Sequence, residues 1–308
     1  KLQSLLDCEI ARDTDAGHVQ FPAYVTSKTV SHLNDAVEHF QLVLDQCPVS
    51  HPDHATALTN LAWARLKGYI RNDLQDIDAT TSLFRDALTL RPQPHPYHPL
   101  SLYNLTEALT WRHNKKSTAA DICEAAQLYH ELLPLCPEGT YLRSIAAGKN
   151  GVDYVISGCN NLPTDASDEG IHLRRVVLEL CPLGHQLRPR ALGMLAYAVE
   201  GHFNQHGNID DLDTSIQLCR EAALTLHPPG HPHHDTTLNN LALALNTRDE
   251  SHVSEDLSEA IDSHRESLRL KRLDHPGRHA TLINLSSALC SRFTQTQKNE
   301  DVKEAITL

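Results

Sequence analysis

The sequence predicts an all-α fold, a right-handed superhelix (α-solenoid) of helix pairs with a period of about 44–46 residues. Three observations predict it. A phrase recurs: HPDHATALTNLA from His51, HPYHPLSLYNLT from His95, HPHHDTTLNNLA from His231, HPGRHATLINLS from His275, and a weaker copy, HQLRPRALGMLA, from His185. Each copy opens a unit with two stretches of helical apolar spacing. No stretch shows sustained strand alternation.

Taken in order, residues 1–29 match the repeat poorly, and the repeat domain is expected over 30–308. It begins with an extra helix at 30–46, followed by about six helix pairs. The first helix of each unit carries a packed, largely apolar stripe at i, i+3, i+4 and i+7, with Arg65 its only charged member. The positions are Leu58, Leu61, Ala62 and Arg65; Leu102, Leu105, Thr106 and Leu109; Leu192, Leu195, Ala196 and Val199; Leu238, Leu241, Ala242 and Leu245; Leu282, Leu285, Ser286 and Leu289. That spacing makes one stripe per helix, and the small third residue lets a neighbouring helix approach. The proline after each His is expected at the first helical position, where its missing N–H costs nothing.

The second helices are expected over 34–44, 79–90, 211–226 and 256–270. Acidic residues near their starts suit a helix N-terminus, and CP, RP or HPPG turns end them. The unit at 140–182 lacks the HP start and the apolar stripe, and Gly148, Gly151 and Gly158 weaken its helix. The chain stops at EAITL, inside a helical pattern, and reads as a fragment of a larger protein truncated in its last repeat.

The second-helix spacing resembles that of a tetratricopeptide repeat (TPR): Ala36, Phe40, Val43 and Pro48; Thr80, Phe84, Ala87 and Pro92; Ala125, Tyr129, Leu132 and Pro137. The unit is most similar to kinesin-light-chain-type repeats, and to the TPR arrays of fungal CHAT-domain proteins, where HPD…LNNLA and DLDEAI…HREAL phrases recur. The resemblance covers roughly residues 30–308 and implies the fold more strongly than any partner.

On the first helix, the residues opposite the stripe form a second pattern. They read Thr56, Asn60, Trp63, Lys67; Leu100, Asn104, Glu107, Trp111; Arg190, Met194, Tyr197, Gly201; Thr236, Asn240, Leu243, Thr247; Ala280, Asn284, Ser287, Ser291. Helix propensity does not explain a recurring Asn, whereas its amide matches the donors and acceptors of an extended peptide. The resemblance implies that this face lines the inner groove and that Asn60, Asn104, Asn240 and Asn284 grip a guest's main chain. Trp63, Trp111 and Tyr197 are the expected aromatic anchors, with Glu107 beside them. A second reading stays open: the Asn residues fix helix stacking, and neighbouring helices cover the tryptophans.

Composition narrows the partners. Lys+Arg number 27 against Asp+Glu 39, a net charge of −12, which argues against nucleic acid and permits a basic peptide. No apolar run is long enough to span a membrane. The eight cysteines include no CxxC pair and read as reduced thiols of a cytoplasmic protein. The histidines, 21 in all, mark helix starts; only His231, His233, His234 and Asp235 are dense enough to invite a metal, and no metal or cofactor is expected. Catalytic signatures are absent.

The expected function is non-enzymatic. The groove binds a peptide or partner domain, which the CHAT resemblance extends to an attached effector domain of the same full-length protein. The alternative is a structural spacer or oligomerisation module; a His-based metal enzyme is a distant third.

Overall fold

The computed structural model describes residues 2–72, 75–225, 234–249 and 254–308. Fifteen α-helices and no strand are present among the described residues. They are α1 (Leu2–Ser27), α2 (Val30–Gln46), α3 (His54–Asn72), α4 (Ile77–Thr89), α5 (His98–Lys116), α6 (Ala119–Leu135), α7 (Tyr141–Ala146), α8 (Val152–Asn160), α9 (Asp168–Glu179), α10 (Arg188–His206), α11 (Ile209–Thr225), α12 (His234–Asp249), α13 (Ser254–Leu270), α14 (Arg278–Thr296) and α15 (Asn299–Thr307). The chain divides into two compact units, Lys1–Val155 and Ile156–Leu308.

In the first unit α1 pairs with α2, α3 with α4 and α5 with α6, and each pair packs on the next. The helix at 30–46 is therefore not unpaired, because residues 2–27 form a first helix for it. Gly17 makes that pairing close: a Cβ there would strike the ring of Phe40. The stripe predicted on the first helices is the core. Leu58, Leu61, Ala62, Leu102, Leu105, Thr106 and Leu109 are all buried, and Leu61 joins Ala36, Phe40 and Ala64 in one apolar cluster.

In the second unit α9 packs on α10, and α10 through α15 follow as three hairpins in sequence. Leu192, Leu195, Ala196, Val199, Leu238, Leu241, Ala242, Leu245, Leu285 and Leu289 are buried. Leu282 and Ser286 are only half-buried.

The unit over 140–182 has a broken first helix. The Thr140 hydroxyl caps α7, accepting from the Arg143 N–H at 3.3 Å. After α7, Ala147 is extended and Gly148 takes φ +89°, a left-handed conformation that favours glycine. The helix resumes at Val152.

The recurring HP phrase builds a turn before each helix. His51, His95, His185 and His275 each accept the N–H two residues on through Nδ1, at 3.0–3.2 Å. The fourth residue of the phrase then binds the carbonyl seven residues back. His54 reaches Cys47 at 2.6 Å, His98 reaches Arg91 at 2.7 Å, Arg188 reaches Cys181 at 2.6 Å and Arg278 reaches Lys271 at 2.9 Å. These groups satisfy carbonyls at the end of the preceding helix, which otherwise lack partners. This corrects the expectation for proline. Pro52 and Pro96 lie inside the turn, and the helices start two residues later, at His54 and His98. The proline that does enter the first turn of a helix is Pro99 in α5 and Pro189 in α10.

Two sets of ion pairs join the hairpins. Near the end of a first helix, Arg112 binds Asp121 of its own hairpin through two nitrogens, at 2.7 and 2.8 Å, and Asp78 of the previous hairpin at 2.9 Å. Arg248 does the same with Asp256 and Asp213, each at 2.6 Å, and Arg292 binds Asp301. The carboxylates of Asp121, Asp256 and Asp301 are buried. On the second helices, Arg85, Arg220 and Arg265 each bind a glutamate 39 residues on: Glu124, Glu259 and Glu304, all at 2.5 Å. This second set is more exposed, so each of its pairs contributes about 0–1 kcal/mol.

At the fourth position of the first set stands His202. Its Nδ1 lies 2.7 Å from Asp211 and its Nε2 3.6 Å from Asp168. A neutral imidazole donates to only one of these carboxylates, whereas a guanidinium donates to both at any pH. His202→Arg is expected to stabilise the second unit by about 1 kcal/mol at pH 8. Thermal unfolding at that pH measures it; an unchanged or lowered midpoint refutes the equivalence with Arg112 and Arg248.

Candidate functional site

The residues opposite the stripe do not share one environment. Between α1 and α3 runs a groove of about 500 Å³, open to solvent and walled by Thr56 and Asn60 of α3 and by Asp7 and Asp15 of α1. His51 and Asp53 close its end. Asn60 Nδ2 stands 3.4 Å from His18 Nε2 of α1, so this amide faces both the groove and the neighbouring helix.

Asn104 differs. It is 1% exposed, and its Oδ1 is buried without a hydrogen-bond partner among the described residues. An amide so enclosed does not present itself to a guest's main chain, and its position between packed helices fits the stacking reading for this residue. The close packing of α5 in the array is the reason. Asn240 and Asn284 are half-buried, in the second unit. Met194, also half-buried, interrupts the series there.

Both tryptophans lie in the first unit and are half-buried. The Trp63 ring meets Phe84 edge-on at 5.8 Å, and Lys67 Nζ lies 5.5 Å from its centroid. On α5, Glu107 and Trp111 sit one turn apart, as Trp63 and Lys67 do on α3. The 44-residue repeat places Glu107 at the level of Trp63 and Trp111 at the level of Lys67. Burial pushes the Glu107 carboxyl above the usual carboxylate range, although Lys67 and a hydrogen bond from the Tyr103 hydroxyl pull the other way. Burial likewise raises Tyr103. Tyr197, in the second unit, is 55% exposed and presents most of its ring to solvent.

Sequence reasoning missed the α1 wall and Tyr103. Asp7, Asp15 and His18 lie in a segment without the repeat phrase, whose packing residues, Leu6, Ile10, Gly17, Phe21 and Tyr24, do not follow the repeat's stripe. Tyr103 precedes Asn104 in the series and points to Glu107 only because one helical turn separates them.

His231 and His233 lie outside the described residues, so the dense histidine cluster is represented only by His234 and Asp235, both buried. Among the described residues no group of three His, Cys, Asp or Glu is arranged to hold a metal ion. His51, His54, His95, His98, His185 and His275 are engaged in the turn and helix-end hydrogen bonds described above. Among the described residues no helix is long and apolar enough to cross a membrane.

These features define a class: an array of antiparallel helical hairpins whose first-helix face carries amides, aromatics and an acidic groove. No protein-family model matches the chain, and no curated protein matches it by sequence. Solved structures similar to it include a kinesin light chain with nearly identical TPR-like repeats from Podosopora anserina, 13% identical, covering 84% of this chain and 96% of that one, with a TM-score of 0.32. Others are BtubC (BKLC) from P. vanneervenii, at 14% identity, 98% and 90% coverage and a TM-score of 0.29, and a nuclear import adaptor of S. pombe, at 12%, 98% and 99%, and 0.28. At these values the hairpin architecture rests on the chain's own helices, and no role transfers from those proteins.

Proposed function

We propose that the chain is a protein-interaction module that holds a peptide or a partner domain along its first-helix face. The observation that carries this reading is the open groove between α1 and α3, walled by Thr56 and Asn60, two of the positions marked by the repeat. Half-buried Asn60, Asn240 and Asn284 supply amides that pair with an extended main chain, and Trp63, Trp111 and Tyr197 supply apolar anchors. Asn104, 1% exposed, is left out of the grip. Within a longer protein the same grip would restrain an attached effector domain. The second reading, a spacer without a guest, draws its support from Asn104 and from the Asn60–His18 contact.

Peptides selected by display on the intact chain test the proposal. Each lost amide contact costs about 0.5–1.5 kcal/mol, so Asn60→Ala/Asn240→Ala/Asn284→Ala is expected to bind its guests at least about tenfold more weakly while keeping its helical circular dichroism. Unchanged affinity in the triple variant sinks the groove reading and leaves the spacer.

A further inference from the structure

Repeat register sets Trp63 and Lys67 of α3 level with Glu107 and Trp111 of α5, so the four positions mark the corners of a square. Tryptophans occupy one diagonal, and the cation and carboxylate occupy the other. Lys67 lies over the Trp63 ring and is electrostatically coupled to Glu107, so the chain's own ammonium fills the position between an aromatic face and a carboxylate. Rings attract cations through their quadrupole, and a carboxylate attracts them by charge. A lysine there is a point charge on a flexible stem, and it leaves Glu107 undercompensated for its burial. A planar guanidinium stacks on an indole and donates two parallel hydrogen bonds to a carboxylate, which an ammonium does not. Toward the start of α3, the groove walls carry Asp7, Asp15 and Asp53 and neither lysine nor arginine. The α1 side of the stretch that a guest would follow is thus acidic, with cations at Thr56, where Arg91 bonds the hydroxyl at 3.0 Å, and at the aromatic square.

We infer that the square of Trp63, Lys67, Glu107 and Trp111 is a seat for an arginine side chain of a basic guest segment, which displaces Lys67 from the Trp63 face and pairs with Glu107. This inference rests on the groove reading above and specifies its partner. The guest's remaining basic residues run toward the aspartates of the α1–α3 groove.

Fluorescence titration tests it, because the chain's only two tryptophans are both in the square. The probes are acetylated tetra-arginine, tetra-lysine and tetra-glutamate amides, added to the full chain at low and at physiological salt. Tetra-arginine is expected to bind best and to change the tryptophan emission. Glu107→Gln is expected to weaken it about tenfold, and Lys67→Ala, which vacates the seat, to strengthen it several-fold. Tighter binding of tetra-glutamate, an absence of tetra-arginine binding, or equal tetra-arginine affinity in Glu107→Gln each overturns the seat. The displayed-peptide experiment on the triple Asn variant decides the groove separately. Guests lost by that variant but indifferent to Glu107→Gln refute the seat alone.

Discussion

Arg112→Ala is expected to destabilise the first unit by about 3–5 kcal/mol, the cost of leaving a buried carboxylate without its cation. Asp121 is 2% exposed and receives two of the arginine's hydrogen bonds, while Asp78 of the preceding hairpin receives a third. Removing the guanidinium therefore strands one charge in the interior and severs a link between hairpins. In an array whose stability sums over nearest neighbours, the loss is local. Hydrogen exchange is the suitable measurement: amides of α4, α5 and α6 should exchange faster, with those of α12 to α15 unchanged. A destabilisation below about 1 kcal/mol would show that the rung is solvated and that apolar packing alone sets the hairpin spacing. The same rungs weaken in acid. Hydrogen bonding from Arg292 holds Asp301 below the usual carboxylate range, and Lys116 and Arg112 do the same for Asp78. Groups shifted in this direction stabilise the fold above their unfolded pKa, and that contribution disappears as pH falls through the folded one.

A second large effect is expected at mildly acidic pH, from His264. Its side chain is fully buried in α13, with Nε2 3.5 Å from Asn246 Nδ2 of α12. Burial, reinforced by the positive charge of Lys271, lowers its pKa from 6.5 to about 4. The unfolded chain takes up a proton as pH drops below 6.5, and the folded chain does not until about 4. Each step down in that window favours unfolding, so the second unit is expected to lose about 3 kcal/mol between pH 6.5 and 4. Unfolding of the intact chain in urea across this range measures the loss. His264→Gln, which cannot titrate, should flatten the profile of the second unit; an equally steep profile in that variant would assign the effect to other groups.

The repeat made most of the fold legible. A stripe of Leu, Leu and a small residue says which side of α3, α5, α10 and α12 is buried, since apolar area must leave water wherever the helix lies. The second-helix spacing of Ala36, Phe40 and Val43 likewise predicted three buried residues of α2. Residues 1–29 were opaque for a physical reason. α1 packs closely on α2, but its buried positions are Ile10, Asp13, Gly17 and Tyr24, a mixed set that leaves little apolar periodicity to read. The proline of the HP phrase was misplaced because a turn stabilised by histidine Nδ1 looks, in one dimension, like the start of a helix.

The candidate site was legible as a set of positions and not as a surface. Helical periodicity alone put Asn60, Asn104, Asn240 and Asn284 on one face, because backbone geometry repeats identically in each unit. How far each amide reaches solvent was decided by the side chains across from it. Thr56 and Asn60 border an open groove that α1 walls on its other side, while Asn104 is sealed between its neighbours. The pairing of Arg112 with Asp78 and Asp121, and of Arg85 with Glu124, likewise joins residues up to 39 apart, whose meeting depends on how hairpins stack. Local sequence specifies which atoms a helix carries outward; packing of separate helices specifies what those atoms meet.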